Sequence, residues 1–194
     1  SDKMQILKML TRLRQLCLEP RLVYDNIDQP SSKLKACMEL IKTMQENKQK
    51  VLLFSSFTSA LDLIAEECQK AGITYYMLTG STNKEERREL VSRFQKDDTT
   101  LFLISLKAGG TGLNLTSAEN VIHYDPWWNV SAQNQATDRA YRIGQKSNVQ
   151  VFNLVMKDSV EEKIIECKKR KKELADMFVE IIVVDYHKCL KKIS

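Results

Sequence analysis

The stretch VLLFSSFTSALDLIAEECQKAGITYYML, residues 51–78, decides the fold. Its opening VLLFS is an apolar run of strand length. A helical segment over about 58–71 follows and stops at Gly72, and TYYML (74–78) is strand-like again up to Thr79-Gly80. Runs this apolar suit strands covered on both faces, which means a parallel sheet with helices on either side.

The alternation continues downstream. A charged helix over 83–96 turns Leu90, Val91 and Phe94 inward, and LFLI (101–104), VIHY (121–124) and VQVFNLV (149–155) are further strands. A long helix is expected from about Val160 to Phe178. Upstream, Ile6, Leu7, Leu10, Leu13 and Cys17 are spaced for one face of a helix over 3–18, which Pro20 ends. The polar connector NIDQPSS (26–32) leads to a helix over 33–47 that buries Leu34, Cys37, Met38, Ile41 and Met44, with Ser31 or Ser32 as its cap. The fold class is therefore α/β: five or so parallel strands in a three-layer αβα arrangement, with entry helices before and a long helix after. The expected organisation is an entry helix and connector over 1–30, one lobe over 31–178 and a tail over 179–194.

Composition bounds the function. The chain's 194 residues suffice for one compact domain with a single core, and 43% hydrophobic with 28% charged residues is the balance of a soluble globular protein. No apolar run approaches the roughly 20 residues of a membrane span, so no membrane partner is expected. The start, SDKMQILKML, has neither a signal-peptide layout nor an initiator methionine, which reads as a fragment or a tag remnant. Cys17, Cys37, Cys68, Cys167 and Cys189 are scattered, and with only His123 and His187 there is no zinc ligand set and no metal site. They read as reduced thiols packed as small apolar groups. The net charge of +5 permits nucleic acid as a partner without arguing for it.

Ligands of such sheets lie beyond the carboxyl ends of the strands. After VLLFS, Ser56-Phe57-Thr58 supplies hydroxyls that can contact phosphate or simply cap a helix. After LFLI, three of the chain's six glycines fall in Gly109-Gly110-Thr111-Gly112, beside Ser105 and Lys107. Such concentration means tight positive-φ geometry or backbone held close to a ligand, and a nest of N–H groups for phosphate fits it. After VIHY, Asp125-Pro126 opens a turn that holds the only tryptophans, Trp127 and Trp128; one reads as a buried anchor, the other as free to face nucleic acid or a neighbouring domain. In QATDRAYRIGQ (135–145), a helix would bring Arg139 and Arg142 onto one face, where they can reach one anion together or belong to a surface salt-bridge patch. No glycine is followed by lysine, so there is no P-loop, and no acidic pair stands at a strand end to hold magnesium. These residues alone cannot build a complete ATP site.

Ser105-Leu-Lys-Ala-Gly-Gly-Thr-Gly-Leu-Asn-Leu115, Asp125-x-x-Trp128-Asn129 and Gln135-Ala-Thr-Asp-Arg-Ala-Tyr-Arg-Ile-Gly-Gln145 resemble motifs V and VI of Swi/Snf-family DNA-translocating ATPases, within helicase superfamily two. LTRLRQLCLEP (10–20), VLLFSSF (51–57), LTGST with Arg87 and Phe94, and NLV with DSVEEKI (158–164) match further family segments, so the resemblance covers about residues 5–178. It implies the second, C-terminal RecA-like lobe of a two-lobed motor. ATP with Mg2+ would lie in the cleft against an N-terminal RecA-like lobe that carries the P-loop, the metal and most phosphate contacts. The implied arginine fingers are Arg142 and then Arg139, with Gln135, Asp138 and Gly112 on the nucleotide side. The implied DNA contacts are Ser56, Gly80, Lys107, Gly110, Thr111 and Trp128. Partners would be double-stranded DNA, the first lobe and a DNA-bound protein. Such a parent would be nucleoid-associated in the cytoplasm of a prokaryote or nuclear in a eukaryote, and the short connectors around Gln29 and Asn83 lean toward the former.

Val130 replaces the usual proline after Trp128-Asn129, and the tail IIVVDYHKCLKKIS (181–194) departs from the family's polar continuation, as a divergent end or a foreign extension. The basic run Lys168–Lys172 reads as a solvated face or an interlobe contact ahead of a DNA patch. Two rivals remain: a lobe of a strand-separating superfamily-two helicase, against which the DRAYRIGQ spelling argues, and a non-catalytic DNA- or protein-binding module.

Overall fold

All five side chains of β1 (Val51–Ser55) are buried. In the computed structural model, which describes residues 2–109, 113–127, 149–169 and 179–184, this strand pairs on both sides: Val51 stands opposite Leu101 in one neighbour and Asn120 in the other. The order of elements is α1 (Asp2–Leu18), a 3₁₀ turn (Pro20–Leu22), α2 (Ser32–Glu46), β1, α3 (Thr58–Lys70), β2 (Tyr75–Leu78), α4 (Lys84–Lys96), β3 (Leu101–Ser105), a short α5 (Leu106–Gly109), β4 (Asn120–His123), β5 (Gln150–Met156), α6 (Val160–Lys169) and β6 (Val179–Val184). The described strands form one sheet in the order β2-β3-β1-β4-β5-β6, with every pairing parallel. The five expected strands agree with β1–β5 to within a residue or two.

Strand alternation builds two cores. Val51 and Leu53 of β1 pack with Leu34, Ile41, Leu61 and Ile64 of α2 and α3 on one face of the sheet. Leu52 and Phe54 pack with Phe94 of α4, Phe102, Leu115 and Trp127 on the other. Each fully buried Leu or Phe contributes roughly 1.5–3 kcal/mol, so a strand with apolar side chains on both faces is worth most at the centre of the sheet.

Local chemistry sets the boundaries. Ser31 caps α2, its Oγ accepting the Leu34 N–H at 3.0 Å. Gly72 adopts φ +67° just past α3; its N–H reaches the Gln69 carbonyl at 3.2 Å and the Ile73 N–H reaches that of Cys68 at 2.9 Å. That pair of bonds ends a helix in the left-handed conformation a glycine adopts without penalty.

The entry segment and α6 are pinned to the sheet by buried polar groups. Lys33 Nζ lies 2.7 and 2.8 Å from the two Glu161 carboxylate oxygens, Tyr124 Oη donates to the Leu18 carbonyl at 2.9 Å, and Glu19 accepts the Ser31 N–H at 2.9 Å. Burial pushes the Glu161 carboxyl above its usual range, against the pull of the Lys33 ammonium and the Met156 N–H.

Three features depart from the sequence reading. Ile6, Leu7 and Leu13 of α1 are exposed along with Met4 and Met9, so apart from half-buried Leu10 the apolar stripe is uncovered over the first three turns and continuous packing begins at Arg14. Cys37 and Cys68 are buried, as small apolar thiols should be, but Cys167 is exposed. The tail contributes β6, which pairs with β5 from Val151↔Val179 to Met156↔Val184. Of the long terminal helix, Val160–Lys169 is helical, and 170–178 lies outside the described residues. No helix among the described residues is long and apolar enough to cross a membrane.

Candidate nucleic-acid interface

The strand order reverses around β1: the chain runs out through β2 and β3 on one side, then crosses to β4 on the other. The carboxyl ends of β3, β1 and β4 therefore meet at a switch point, the usual ligand crevice of an open α/β sheet. Ser105, Ser55-Ser56 and Asp125 stand there.

Asp125 organises this edge. Its carboxylate is buried and accepts from Ser55 Oγ at 2.7 Å, from the Ser56 N–H at 3.1 Å, from Ser56 Oγ and from Arg14 Nη2 at 3.2 Å. Arg14 also donates to Ser56 Oγ at 2.8 Å, and its guanidinium lies 5.1 Å from the centre of the Phe57 ring. Ser56 does not cap α3. The cap position is Phe57, which has no side-chain cap, while Ser55 Oγ accepts the Phe57 N–H at 3.2 Å. The sequence reading missed both Arg14 and this role of Asp125; a carboxylate directly after the apolar run VIHY (121–124) was the available signal.

The loop after β2 and the turn after β3 come together. Gly80 is exposed, and a Cβ built on it would lie 3.8 Å from Lys107 Cβ, so backbone and ammonium stem are neighbours. Around Gly80 the Thr79 N–H donates to Thr82 Oγ1 at 3.0 Å, and the hydroxyls of Thr79 and Ser81 are 2.8 Å apart. Lys107 is exposed in α5. Arg87 of α4 braces the turn through a 3.1 Å bond from Nη1 to the Ala108 carbonyl. Beyond it, Gln95 donates to the Asn114 carbonyl at 2.8 Å and accepts the Ser117 N–H at 2.9 Å.

Gly109 is explained by packing. A Cβ there would fall 3.1 Å from Phe54 Cε1, so a larger residue would press on that ring, and the glycine lets the turn lie close against β1. Trp127 is the buried anchor expected of one tryptophan: 3% exposed, it meets Phe54 and His123 edge-on at 6.3 and 5.7 Å. Ser56, Gly80 and Lys107 are thus the described members of the expected DNA set, and Gly80 and Lys107 are neighbours. Gly110, Thr111, Gly112, Trp128, Gln135, Asp138, Arg139 and Arg142 lie outside the described residues. Among the described residues, no three His, Cys, Asp or Glu side chains gather as a metal site.

A fully parallel sheet covered on both faces, with its polar groups gathered at the carboxyl edge, defines a RecA-like α/β lobe. Residues 32–144 match the family described as Helicase conserved C-terminal domain, and the chain belongs to that family. The putative ATP-dependent helicase/translocase YwqA of Bacillus subtilis is 40% identical over 185 residues, covering 92% of this chain and 20% of that protein. The mouse SWI/SNF-related matrix-associated actin-dependent regulator of chromatin subfamily A member 1 is 37% identical over 192 residues, covering 92% of this chain and 18% of its own length. Among solved structures, the Sulfolobus solfataricus SWI2/SNF2 ATPase core in complex with dsDNA superposes with a TM-score of 0.72 at 35% identity, over 85% of this chain and 35% of that one. The C-terminal part of the Fun30 ATPase domain gives a TM-score of 0.67 at 40% identity, over 69% of this chain and 44% of that one. The likeness to the C-terminal RecA-like lobe of Swi/Snf-family ATPases is borne out. The chain spans about a fifth of the length of the curated relatives it matches.

Proposed function

We propose that this chain is the second motor lobe of an ATP-driven double-stranded DNA translocase, supplying phosphate contacts to DNA on one side and arginine fingers to an interlobe ATP site on the other. The observation that carries the DNA half is the proximity of Gly80 and Lys107 at the carboxyl edge of the sheet, where a Cβ built on Gly80 would lie 3.8 Å from Lys107 Cβ. An exposed ammonium beside an exposed backbone turn is suited to a phosphate and blind to base sequence, as a translocase requires. Ser56 stands on the same edge with its hydroxyl held by Arg14 and Asp125, which orients it.

On the nucleotide side, Arg142 and then Arg139 are assigned as fingers, with Gln135, Asp138 and Gly112 beside them. ATP with Mg2+, when bound, would supply the phosphoanhydride that is hydrolysed in each cycle of lobe closing and opening. A guanidinium suits the finger role because its planar fork meets two phosphate oxygens and never loses its charge. An inserted arginine is worth about 10³–10⁵ in rate. The described residues offer the metal no ligand set, so Mg2+ and most phosphate contacts are assigned to an N-terminal RecA-like lobe. On this reading the 194 residues alone hydrolyse no ATP.

Duplex binding by this chain tests the DNA half. Lys107→Ala should weaken binding to any sequence equally and reduce the slope of log affinity against log salt by about 0.9, the loss of one phosphate contact. Unchanged affinity and slope would remove Lys107 from the interface.

A further inference from the structure

A cavity of about 690 Å³ opens between α4 and the chain that leaves the glycine turn, lined by Thr82, Lys84, Arg87, Arg88, Val91, Ser92, Leu113 and Asn114. Its charge is one-sided. Lys84, Arg87, Arg88, Val91 and Ser92 fall at i, i+3, i+4, i+7 and i+8 and so share one face of the helix, while Glu86 and Glu89 fall on the other and Glu85 flanks the groove face beside Ser92. Glu89 is 3.7 Å from Arg93 on that far face. Arg87 is committed to the Ala108 carbonyl, but Lys84 and Arg88 are exposed and make no hydrogen bond or ion pair among the described residues. The floor is apolar, with Val91 half-buried and Leu113 4% exposed. The far wall is held by the Gln95 bonds to Asn114 and Ser117. A groove with two unpaired cations on its rim, hydroxyls beside them and a fixed apolar floor is suited to a sugar-phosphate backbone, with phosphates on the rim and sugars over the floor.

We propose that this groove is an additional DNA backbone site, in which Lys84 and Arg88 take phosphates that follow those held at Gly80 and Lys107. The inference rests on the DNA-binding reading given above and extends its footprint along α4. Continuity supports it: Thr82 belongs to the Gly80 loop, and Arg87 joins the groove to the turn that carries Lys107. Such contacts lengthen the grip on the strand without reading sequence.

The test measures duplex binding by this chain against salt concentration for three variants beside the unmodified protein. Lys84→Ala/Arg88→Ala removes the groove cations, and Lys107→Ala removes the neighbouring contact. Lys35→Ala/Lys42→Ala removes the same net charge from exposed positions on α2, across the sheet. Lys84 and Arg88 are exposed, so folding is retained, and a thermal melt of each variant confirms it. The expected result is a groove variant roughly tenfold weaker near 0.1 M salt, with a salt slope lower by about 1.8, while the α2 variant keeps the unmodified slope. A groove variant with the unmodified slope, beside a weakened Lys107→Ala, would overturn the groove and leave the DNA reading standing. Equal losses in the groove and α2 variants would reduce the effect to net charge and overturn it too. If neither the groove variant nor Lys107→Ala changes binding, both the groove and the DNA reading fall.

Discussion

Arg14 Nη2 and Asp125 Oδ2 are 3.2 Å apart although 111 residues separate them in sequence. The pair ties the entry helix to the end of β4, where the chain turns into Pro126 and Trp127. Asp125 is 1% exposed and satisfies two serine hydroxyls and a backbone N–H as well as the guanidinium. Asp125→Ala strands all of these donors and should lower stability by about 2–3 kcal/mol, the scale of charge-assisted bonds. Arg14→Ala should cost less, because its side chain is 16% exposed and water replaces part of what is lost. Urea unfolding of the two variants gives both numbers, and equal costs would mean the carboxylate depends on Arg14 alone.

Lys33 and Glu161 form a closed ion pair, with side chains 0% and 2% exposed. Removing one partner leaves a buried charge, so Lys33→Met should cost about 3–5 kcal/mol. Lys33→Met/Glu161→Leu should recover much of that loss, since replacing both ends of a buried pair by apolar groups is often neutral. Recovery will be incomplete because the Met156 N–H, which donates to Glu161 at 2.8 Å, loses its acceptor. A double variant as unstable as the single one would mean that Glu161 is not held by Lys33.

The strands were legible because β1 and β3 are buried along their whole length, and a run without alternation has few other solutions in a small α/β lobe. Gly72 and Ser31 were legible because they solve local backbone problems. What was not legible depended on distant partners. The hydroxyl of Ser56 could be assigned to a cap or a phosphate, and nothing nearby in sequence pointed to Arg14. β6 carries a strand signal in its sequence: VEIIVV is rich in β-branched residues and of strand length, although the stretch departs from the family's polar continuation. The stripe on α1 was correctly spaced, yet periodicity says which residues share a face and not whether anything covers it.

Asp97 links stability to pH. Burial works to raise its carboxyl, but hydrogen bonds from Tyr76 and from Thr99 together with the Lys50 ammonium win, and the group is held below the usual carboxylate range. A depressed folded-state value means stability that is present above the ordinary carboxylate range and lost as pH falls through the lowered value. The melting temperature should therefore fall on acidification with a contribution that Asp97→Asn removes. The difference between the two proteins should be constant from neutral pH down to about pH 5 and narrow below about pH 4. A difference that grows on acidification would reverse the sign of the interaction.

The most direct test of the motor-lobe reading is ATP hydrolysis, with and without duplex DNA, by a polypeptide joining this lobe to an N-terminal lobe that carries a P-loop. Arg142→Ala is compared with the unmodified protein, and duplex binding is measured in parallel. The expected result is a loss of DNA-stimulated hydrolysis by about 10³-fold or more with duplex binding retained. Unchanged hydrolysis would contradict it, leaving the arginine pair as a surface feature and the lobe as a binding module.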